Sequence, residues 1–227
     1  MKKTTKKTAE TVLVLRTCSA DMTSYGGFKW PKRGPVSAPD WIDNYECGNG
    51  LHGWLWGEGK GSLGQADVPD AKWLVVRVLA SEIRHGNGDL FGICKYPRGY
   101  VLHCGDRKSA TDYIMRHGAS GKAVIGGTVT AGDYGTATAG YCGTATAGDY
   151  GAAKAGNYGT AKSGDYGTAT VGNCGSATAG HGGTICIQYY DAQKDRYRIA
   201  VAYVGENGII PNRKYTLNDS HEFVAVE

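Results

Sequence analysis

Threonine recurs at fixed spacing in the middle of the chain, in units where Thr-Ala-Thr-Ala alternates with Gly-x-x-Gly. If each Thr-Ala-Thr-Ala is a strand, its side chains alternate between two faces, and the threonines form regular rows on one of them. Such rows of hydroxyl and methyl groups are a setting for ice binding. The predicted outward residues are Thr136, Thr138, Thr144, Thr146, Thr160, Thr168 and Thr170, with Lys154 and Lys162 in the same rows. Because a lysine interrupts each face, the sequence favours a solvated strand surface, and ice binding remains an alternative.

Three aspartates recur at the second position of alternate Gly-x-x-Gly segments. Asp133, Asp149 and Asp165 are sixteen residues apart, so in a stacked structure they would form one column about 5 Å apart. Stacked carboxylates can attract a cation, but one carboxylate per turn is too few for a calcium site. We therefore expect these side chains to cap turns, and we predict no bound metal.

Aromatic residues and a histidine share a glycine-rich segment near the N-terminus. Trp41, His52, Trp54 and Trp56 fall within it, and Arg16 lies on a predicted strand before it. Aromatic side chains among glycines suit a planar ligand such as a nucleotide; a small aromatic core is the alternative. The cysteines and histidines of this region match no standard zinc spacing, and no cofactor is predicted.

Motifs for catalysis are weak. Lys60 is followed by Gly61 and Lys122 by Ala123, where a P-loop needs serine or threonine, and no nucleophile-elbow motif is present. Arg16 and His52 could belong to an ADP-ribosyltransferase-like core, but no glutamate completes that set. The sequence therefore favours a protein that is not an enzyme.

The elements that position these residues must be unusually rich in glycine. The 227 residues include 36 glycines and only 6 prolines, with 41% hydrophobic residues and a net charge of +4. This charge is too small for a nucleic-acid-coating surface, and no apolar run reaches the ~20 residues of a membrane helix. The seven cysteines are scattered, and the apolar run at residues 12–15 is too short for a signal peptide. These features indicate a reducing, cytoplasmic compartment with free thiols.

Composition divides the chain into four parts: a disordered basic tail (1–10), an α+β module (11–118), an octapeptide-repeat β-solenoid (119–187) and a C-terminal β cap (188–227). The predicted strands of the module are 11–17, 73–79, 90–94 and 99–104, joined by a long loop-rich stretch, and its helix is 106–117. In the cap, 185–190 and 197–203 form a predicted hairpin, and 221–226 a last strand.

The repeat runs in eights from residue 132 to 187: GDYGTATA, GYCGTATA, GDYGAAKA, GNYGTAKS, GDYGTATV, GNCGSATA and GHGGTICI. Glycine permits the positive φ and the close backbone approach of a tight turn. A lysine cannot be buried unpaired in a thin core, so the threonine positions face water and the alanines face inward. Because Asp133 recurs only after sixteen residues, two octads form one coil. The predicted fold is mainly β, with a flattened solenoid of two parallel sheets that rises about 17 Å.

The tandem octads resemble bacteriophage and bacterial proteins in which a small N-terminal domain precedes TATAGDYG repeats, and they are weakly similar to the head repeats of trimeric adhesins. This resemblance implies a phage-encoded repeat scaffold, located in the cytoplasm of the host cell or associated with the virion. The function predicted from the sequence is thus a scaffold or binding protein, whose solenoid is a rigid assembly surface and whose N-terminal module binds a partner. Self-association hides the alanine-lined edge and is a further expectation. A nucleotide-type binder and an ice-binding protein are the alternatives.

Overall fold

A computed structural model describes residues 9–86 and 88–226. The chain forms two compact units, Met1–Gly118 and Ala119–Glu227. Of the predicted basic tail, residues 1–8 lie outside the described part of the chain. Ala9 and Glu10 are exposed, and the first strand begins directly after them.

The N-terminal unit is built on an antiparallel sheet of seven strands in the order β2-β7-β4-β1-β3-β6-β5. The strands are β1 (Thr11–Cys18), β2 (Gly34–Ser37), β3 (Leu51–Leu55), β4 (Lys72–Leu79), β5 (Arg84–His85), β6 (Cys94–Tyr96) and β7 (Arg98–Gly105). Short 3-10 turns are Tyr25–Gly27, Gly61–Leu63, Ala80–Glu82 and Gly88–Leu90. Its α-helix is α1 (Arg107–Ile114), followed by a π-helical turn, Met115–Ala119.

The centre of this sheet is covered on both faces. β1 and β4 pair along their whole length, with Val14 opposite Val76 and Leu15 opposite Val75. All four side chains are buried, as is Leu74, which explains why both strands are almost continuously apolar. Predicted strands 11–17, 73–79 and 99–104 are present as β1, β4 and β7.

Helix α1 begins where the sequence predicts. Asp106 is its N-cap, and the carboxylate accepts a hydrogen bond from the Ser109 backbone N–H at 2.7 Å. The α-helix ends at Ile114, three residues before the predicted end. His117 and Gly118 leave helical geometry, and Gly118 has a φ of +130°, so the last residues form the π-helical turn instead.

One prediction for the N-terminal unit is incomplete and one is wrong. The stretch between the two long strands is loop-rich, as predicted, but it also contains β2 and β3, because these strands depend on long-range pairing with β7 and β1 that a local pattern does not reveal. Residues 90–94 are not a strand: Leu90 ends a 3-10 turn, and pairing starts only at Cys94.

The second unit contains two sheets built from alternate repeats. The repeat strands are β8 (Thr128–Thr130), β9 (Thr136–Thr138), β10 (Thr144–Thr146), β11 (Ala152–Ala155), β12 (Thr160–Lys162), β13 (Thr168–Val171) and β14 (Ser176–Thr178). They are followed by β15 (Thr184–Asp191), β16 (Arg196–Tyr203), β17 (Lys214–Leu217) and β18 (Phe223–Val226). The sheet orders are β18-β17-β14-β12-β10-β8 and β16-β15-β13-β11-β9.

One coil comprises sixteen residues, as predicted. Parallel pairing places Thr144 opposite Thr160 in one sheet and Ala153 opposite Ala169 in the other. The second residue of every repeat strand from β9 to β14 is a fully buried alanine: Ala137, Ala145, Ala153, Ala161, Ala169 and Ala177. Lys154 and Lys162 are exposed, which confirms the assignment of inward and outward positions.

The turns use glycine in one of the two predicted ways. The residue with positive φ is the third of Gly-x-x-Gly, and in six of the seven units it is tyrosine or cysteine, as at Tyr134 with +57° and Cys142 with +52°; in the last unit it is Gly182. The glycines provide space instead. A Cβ at Gly148 would lie 2.1 Å from the Asp133 Oδ1 of the preceding coil. Glycine is therefore required for close approach, and the strain of the left-handed conformation falls on the tyrosine or cysteine.

The C-terminal residues complete both sheets. β16 pairs antiparallel with β15 along eight residues, and β17 pairs with β14 and then with β18. Ile185, Ile187 and Tyr215 join the alanine core. The predicted hairpin and last strand are present, whereas β17 was not predicted because it is short and its pattern is not apolar.

Candidate functional site

The outward face of the six-stranded sheet carries two columns of side chains across four parallel strands. The first column is Thr128, Thr144, Thr160 and Ser176, and the second is Thr130, Thr146, Lys162 and Thr178. Every member of the first column has a hydroxyl group. Within it, the Thr160 and Ser176 hydroxyl oxygens are 3.3 Å apart. We call this surface the continuous face.

The outward face of the five-stranded sheet has the same layout with more interruptions. Its columns are Thr136, Ala152, Thr168 and Thr184, then Thr138, Lys154, Thr170 and Cys186. Alanine removes the hydroxyl from one column, while lysine and cysteine replace two threonines in the other. We call this surface the interrupted face.

Both faces are held in place by features that repeat in each coil. Neighbouring strands lie about 4.8 Å apart, and alternate residues of a strand are roughly 6.7 Å apart. The alanine core leaves no space for a strand to shift, since Ala145 and Ala161 are fully buried. On the continuous face, seven of the eight positions therefore carry a hydroxyl group in regular rows over four rungs, with Lys162 as the exception and Thr178 buried.

The aspartate column links each coil to the next. Asp133 Oδ1 accepts a hydrogen bond from the Asp149 backbone N–H at 2.9 Å, and Asp149 Oδ1 accepts one from Asp165 N–H at 2.8 Å. Asn157 and Asn173 form the same contact at the opposite edge, at 3.0 Å. These carboxylates therefore cap the turns of the following coil.

Tyrosines form a second column along the aspartate edge. The rings of Tyr134 and Tyr150 stack with centroids 5.1 Å apart, and those of Tyr150 and Tyr166 with centroids 5.2 Å apart. All three remain at least half exposed. The stacking adds contact between coils where the alanine core supplies little.

The residues of the predicted aromatic pocket come together only in part: Trp54 lines a cavity of about 280 Å³ with Arg16 and His52, whereas Trp41 and Trp56 lie elsewhere. Trp54 is buried, donates its indole N–H to the Lys60 carbonyl oxygen and packs against Trp73. Trp41 lies against the Lys95 ammonium, with 5.4 Å between the nitrogen and the ring centroid. Trp56 contacts the backbone near Gly118. The three tryptophans thus have separate environments.

Arg16 and His52 do come together. Arg16 donates from Nη1 to the His52 carbonyl oxygen at 2.8 Å, and its guanidinium lies over the ring of Trp30 at 5.1 Å. Both residues line a cavity of about 680 Å³. Burial, with Arg16 nearby, lowers the pKa of His52 from 6.5 to about 4, so its imidazole is neutral at physiological pH.

Sequence reasoning missed two groups of residues. Thr128, Thr130 and Thr184 belong to the threonine columns, but they lie outside the perfect repeats; extending the sixteen-residue register in both directions would have found them. Trp30 joins Arg16 across the fold, and no local pattern marks that contact.

Within residues 9–86 and 88–226, no three His, Cys, Asp or Glu side chains are grouped so as to hold a metal ion. In that same part of the chain, no helix has the length and apolar character needed to cross a membrane. The seven cysteines are free thiols.

Known bacterial proteins are similar to about half of this chain. One from Xanthomonas campestris pv. translucens is 40% identical over 105 residues, which is 46% of this chain and 6% of the relative. InaU from Pantoea ananas is 39% identical over 108 residues, 48% of this chain and 10% of the relative. One from Pseudomonas syringae is 37% identical over 107 residues, 47% of this chain and 9% of the relative.

These relatives are ice nucleation proteins. The chain spans a tenth or less of the length of the three relatives compared. No family model matches the chain, and no solved structure matches it. The chain is thus a repeat-bearing β-solenoid protein with similarity to much longer bacterial proteins.

The comparisons overturn two predictions. The phage-encoded scaffold is wrong as the main interpretation, because the matched proteins are named for ice nucleation and support the ice-binding alternative. The cytoplasmic or virion-associated location is wrong for the same reason, since it followed from the phage resemblance and from the cysteine pattern. Lys154 and Lys162 interrupt the threonine rows less than expected, because each occupies one of the eight column positions on its face.

Proposed function

We propose that the repeat unit binds ice through the continuous face. The observation that carries the proposal is the column of Thr128, Thr144, Thr160 and Ser176, with a hydroxyl on each of four hydrogen-bonded strands. The similarity to ice nucleation proteins supports the same function.

The physical basis is the regularity of the grid. Threonine offers a hydroxyl that bonds water and a methyl group that water surrounds without bonding, and both recur at the strand spacing. Because the strands are locked by the alanine core and by hydrogen bonds between coils, water is ordered without a further loss of side-chain freedom. A flexible surface would have to lose that entropy upon binding.

The size of the grid limits what one chain can do. Four rungs span roughly 14 Å, three strand spacings. So small a template suits attachment to existing ice better than the creation of a new crystal. Self-association of two chains side by side would enlarge the ice-binding surface, and we include it in the proposal.

The test changes one grid position at a time. Lys162→Thr completes the second column of the continuous face and should raise inhibition of ice recrystallisation. Thr146→Lys places a second lysine beside the first, and should lower that activity about fivefold, as expected for the loss of ~1 kcal/mol of contact. Lys194→Thr, in the exposed turn between β15 and β16, is the matched control and should change nothing.

Droplet-freezing temperatures of the same proteins separate ice attachment from nucleation. An inactive parent protein in both assays would contradict the proposal. So would a Thr146→Lys protein that is folded, by circular dichroism, and as active as the parent protein.

A further inference from the structure

The N-terminal unit contains a cavity that ice binding does not use. Its volume is about 680 Å³, within the usual range for small-molecule sites. Arg16, Trp30 and His52 lie at one side, and the loop from Cys47 to Leu51 forms another. Tyr25 also lines the cavity and is fully exposed, so the cavity opens to solvent there.

Arg16 brings a positive charge to this cavity, and neutral groups receive its hydrogen bonds. Nε donates to the Thr17 carbonyl oxygen and Nη1 to the His52 carbonyl oxygen, both at 2.8 Å. The ring of Trp30 covers the guanidinium. Burial lowers the pKa of Arg16, which reflects the cost of holding this charge away from water.

A second buried cation supports the loop of the cavity. Lys95 is fully buried, and its ammonium donates to Asn44 Oδ1 and to the carbonyl oxygens of Glu46 and Gly48, the latter two at 2.9 and 3.2 Å. These three acceptors are neutral and use the three donors of the ammonium. The loop is thereby fixed around an ammonium group that lies over the ring of Trp41.

Acidic residues lie in the same loop, but in the described part of the chain none forms an ion pair with Arg16 or Lys95. Asp43 pairs with Arg84, and the Glu46 carboxylate accepts a hydrogen bond from the Asn44 side-chain amide at 2.9 Å. Asp40 is the one acidic residue among the lining residues. Arg16 is therefore a lining residue whose positive charge has no paired carboxylate, and it gives the cavity a positive potential. Lys95 is not a lining residue and adds to this potential only at longer range.

His52 adds a polar atom without a partner. Its Nε2 is buried and forms no hydrogen bond with the described residues. Since the low pKa of His52 keeps the ring neutral, one ring nitrogen is a hydrogen-bond acceptor. A buried acceptor without a partner is destabilising, and a ligand that donates a hydrogen bond to it would remove that cost.

We propose that this cavity binds a small organic or inorganic oxyanion, whose acid group contacts Arg16 and whose hydroxyl group donates to His52. The positive charge of Arg16 favours an anion. The unpartnered Nε2 of His52 favours an anion that also carries a hydrogen-bond donor. The proposal concerns the N-terminal unit alone and stands apart from ice binding by the repeat unit.

The experiment is an amide chemical-shift titration of the full chain with two probes, inorganic phosphate and malate. Sodium chloride at matched ionic strength is the baseline. We expect saturable shifts at Gly48, Gly50 and His52 with at least one probe, and the stronger probe identifies the acid group. Absence of saturation with both probes, or shifts confined to other regions, would overturn the proposal.

Two variants refine the result. Arg16→Gln should weaken binding at least tenfold, whereas Arg77→Gln should not. Arg77 is a matched control, because it too lies over an aromatic ring, that of Tyr100, on an exposed part of the same sheet. Equal loss in both variants overturns the proposal. If Arg16→Gln does not fold, the shift map of the parent protein decides alone.

Discussion

The two units of the chain are stabilised in opposite ways. The N-terminal unit is packed with large side chains that differ at every position, among them Trp73, Tyr96 and Leu15. The repeat unit is packed with alanine, and its stability depends on hydrogen bonds and stacking that recur in each coil. Shortening buried side chains should therefore destabilise the N-terminal unit most, and enlarging buried side chains should destabilise the repeat unit most.

This difference bears on function. A grid that orders water needs many identical positions, which a thin core of small residues provides. A cavity that selects one ligand needs a few unlike side chains brought together from distant parts of the chain. Each unit has the packing that its proposed role requires.

The largest effect should follow removal of a core side chain from the N-terminal unit. Leu74 is fully buried on the central strand β4, so Leu74→Ala should lower the free energy of unfolding by about 2–5 kcal/mol. All five tryptophans belong to this unit, so tryptophan fluorescence during denaturation measures it selectively. The exposed Arg77→Ala on the same strand should cost less than about 1 kcal/mol; equal costs would contradict the comparison.

Adding atoms to the repeat core should have the next largest effect. Ala161 is fully buried between the two sheets, and Ala161→Leu should cost about 1–3 kcal/mol because the coils cannot separate locally. Thr160→Leu, one residue earlier and facing outward, is the control and should be nearly neutral. Circular dichroism during denaturation measures both. A tolerated leucine at position 161 would show that the core is not tightly packed.

The repeat unit and the N-terminal unit also differ in how much of their structure could be predicted from the sequence. In the repeat, a single lysine position reveals the outward side of every strand, because Lys154 and Thr138 occupy equivalent places. The coil length followed from Asp133 and Asp149 alone. In the N-terminal unit, the contact of Arg16 with Trp30 joins β1 to a loop, and no periodic signal repeats it. The same limit applies to β17, whose position depends on long-range contacts with β14 and the residue before it, Ala177 opposite Tyr215 and the Thr216 hydroxyl bonded to the Gly175 carbonyl oxygen.

A pH dependence should be specific to the N-terminal unit. Burial and the nearby Arg16 hold the pKa of His52 at about 4, below its usual 6.5, so the unfolded chain binds a proton more readily between these values. Stability should therefore rise as the pH increases from 4 to 6.5, by about 1–2 kcal/mol after allowance for partial solvent exposure.

The check is tryptophan fluorescence during urea denaturation at several pH values. His52→Gln should remove most of this dependence. A dependence that stays unchanged in the variant would assign it to other groups.

The smallest effect should come from the turns that link the coils. Asp149→Ala removes the acceptor of the Asp165 N–H and should cost about 1 kcal/mol. Asp149→Asn should change the free energy of unfolding little, because Asn157 already forms the equivalent hydrogen bond at the other edge. It should even stabilise the protein at low salt, since it removes a charge from a column of three carboxylates. Thermal denaturation at low and high salt compares the variants. If asparagine and alanine are equally destabilising, the bond between coils depends on the charge, and the two edges of the solenoid are not equivalent.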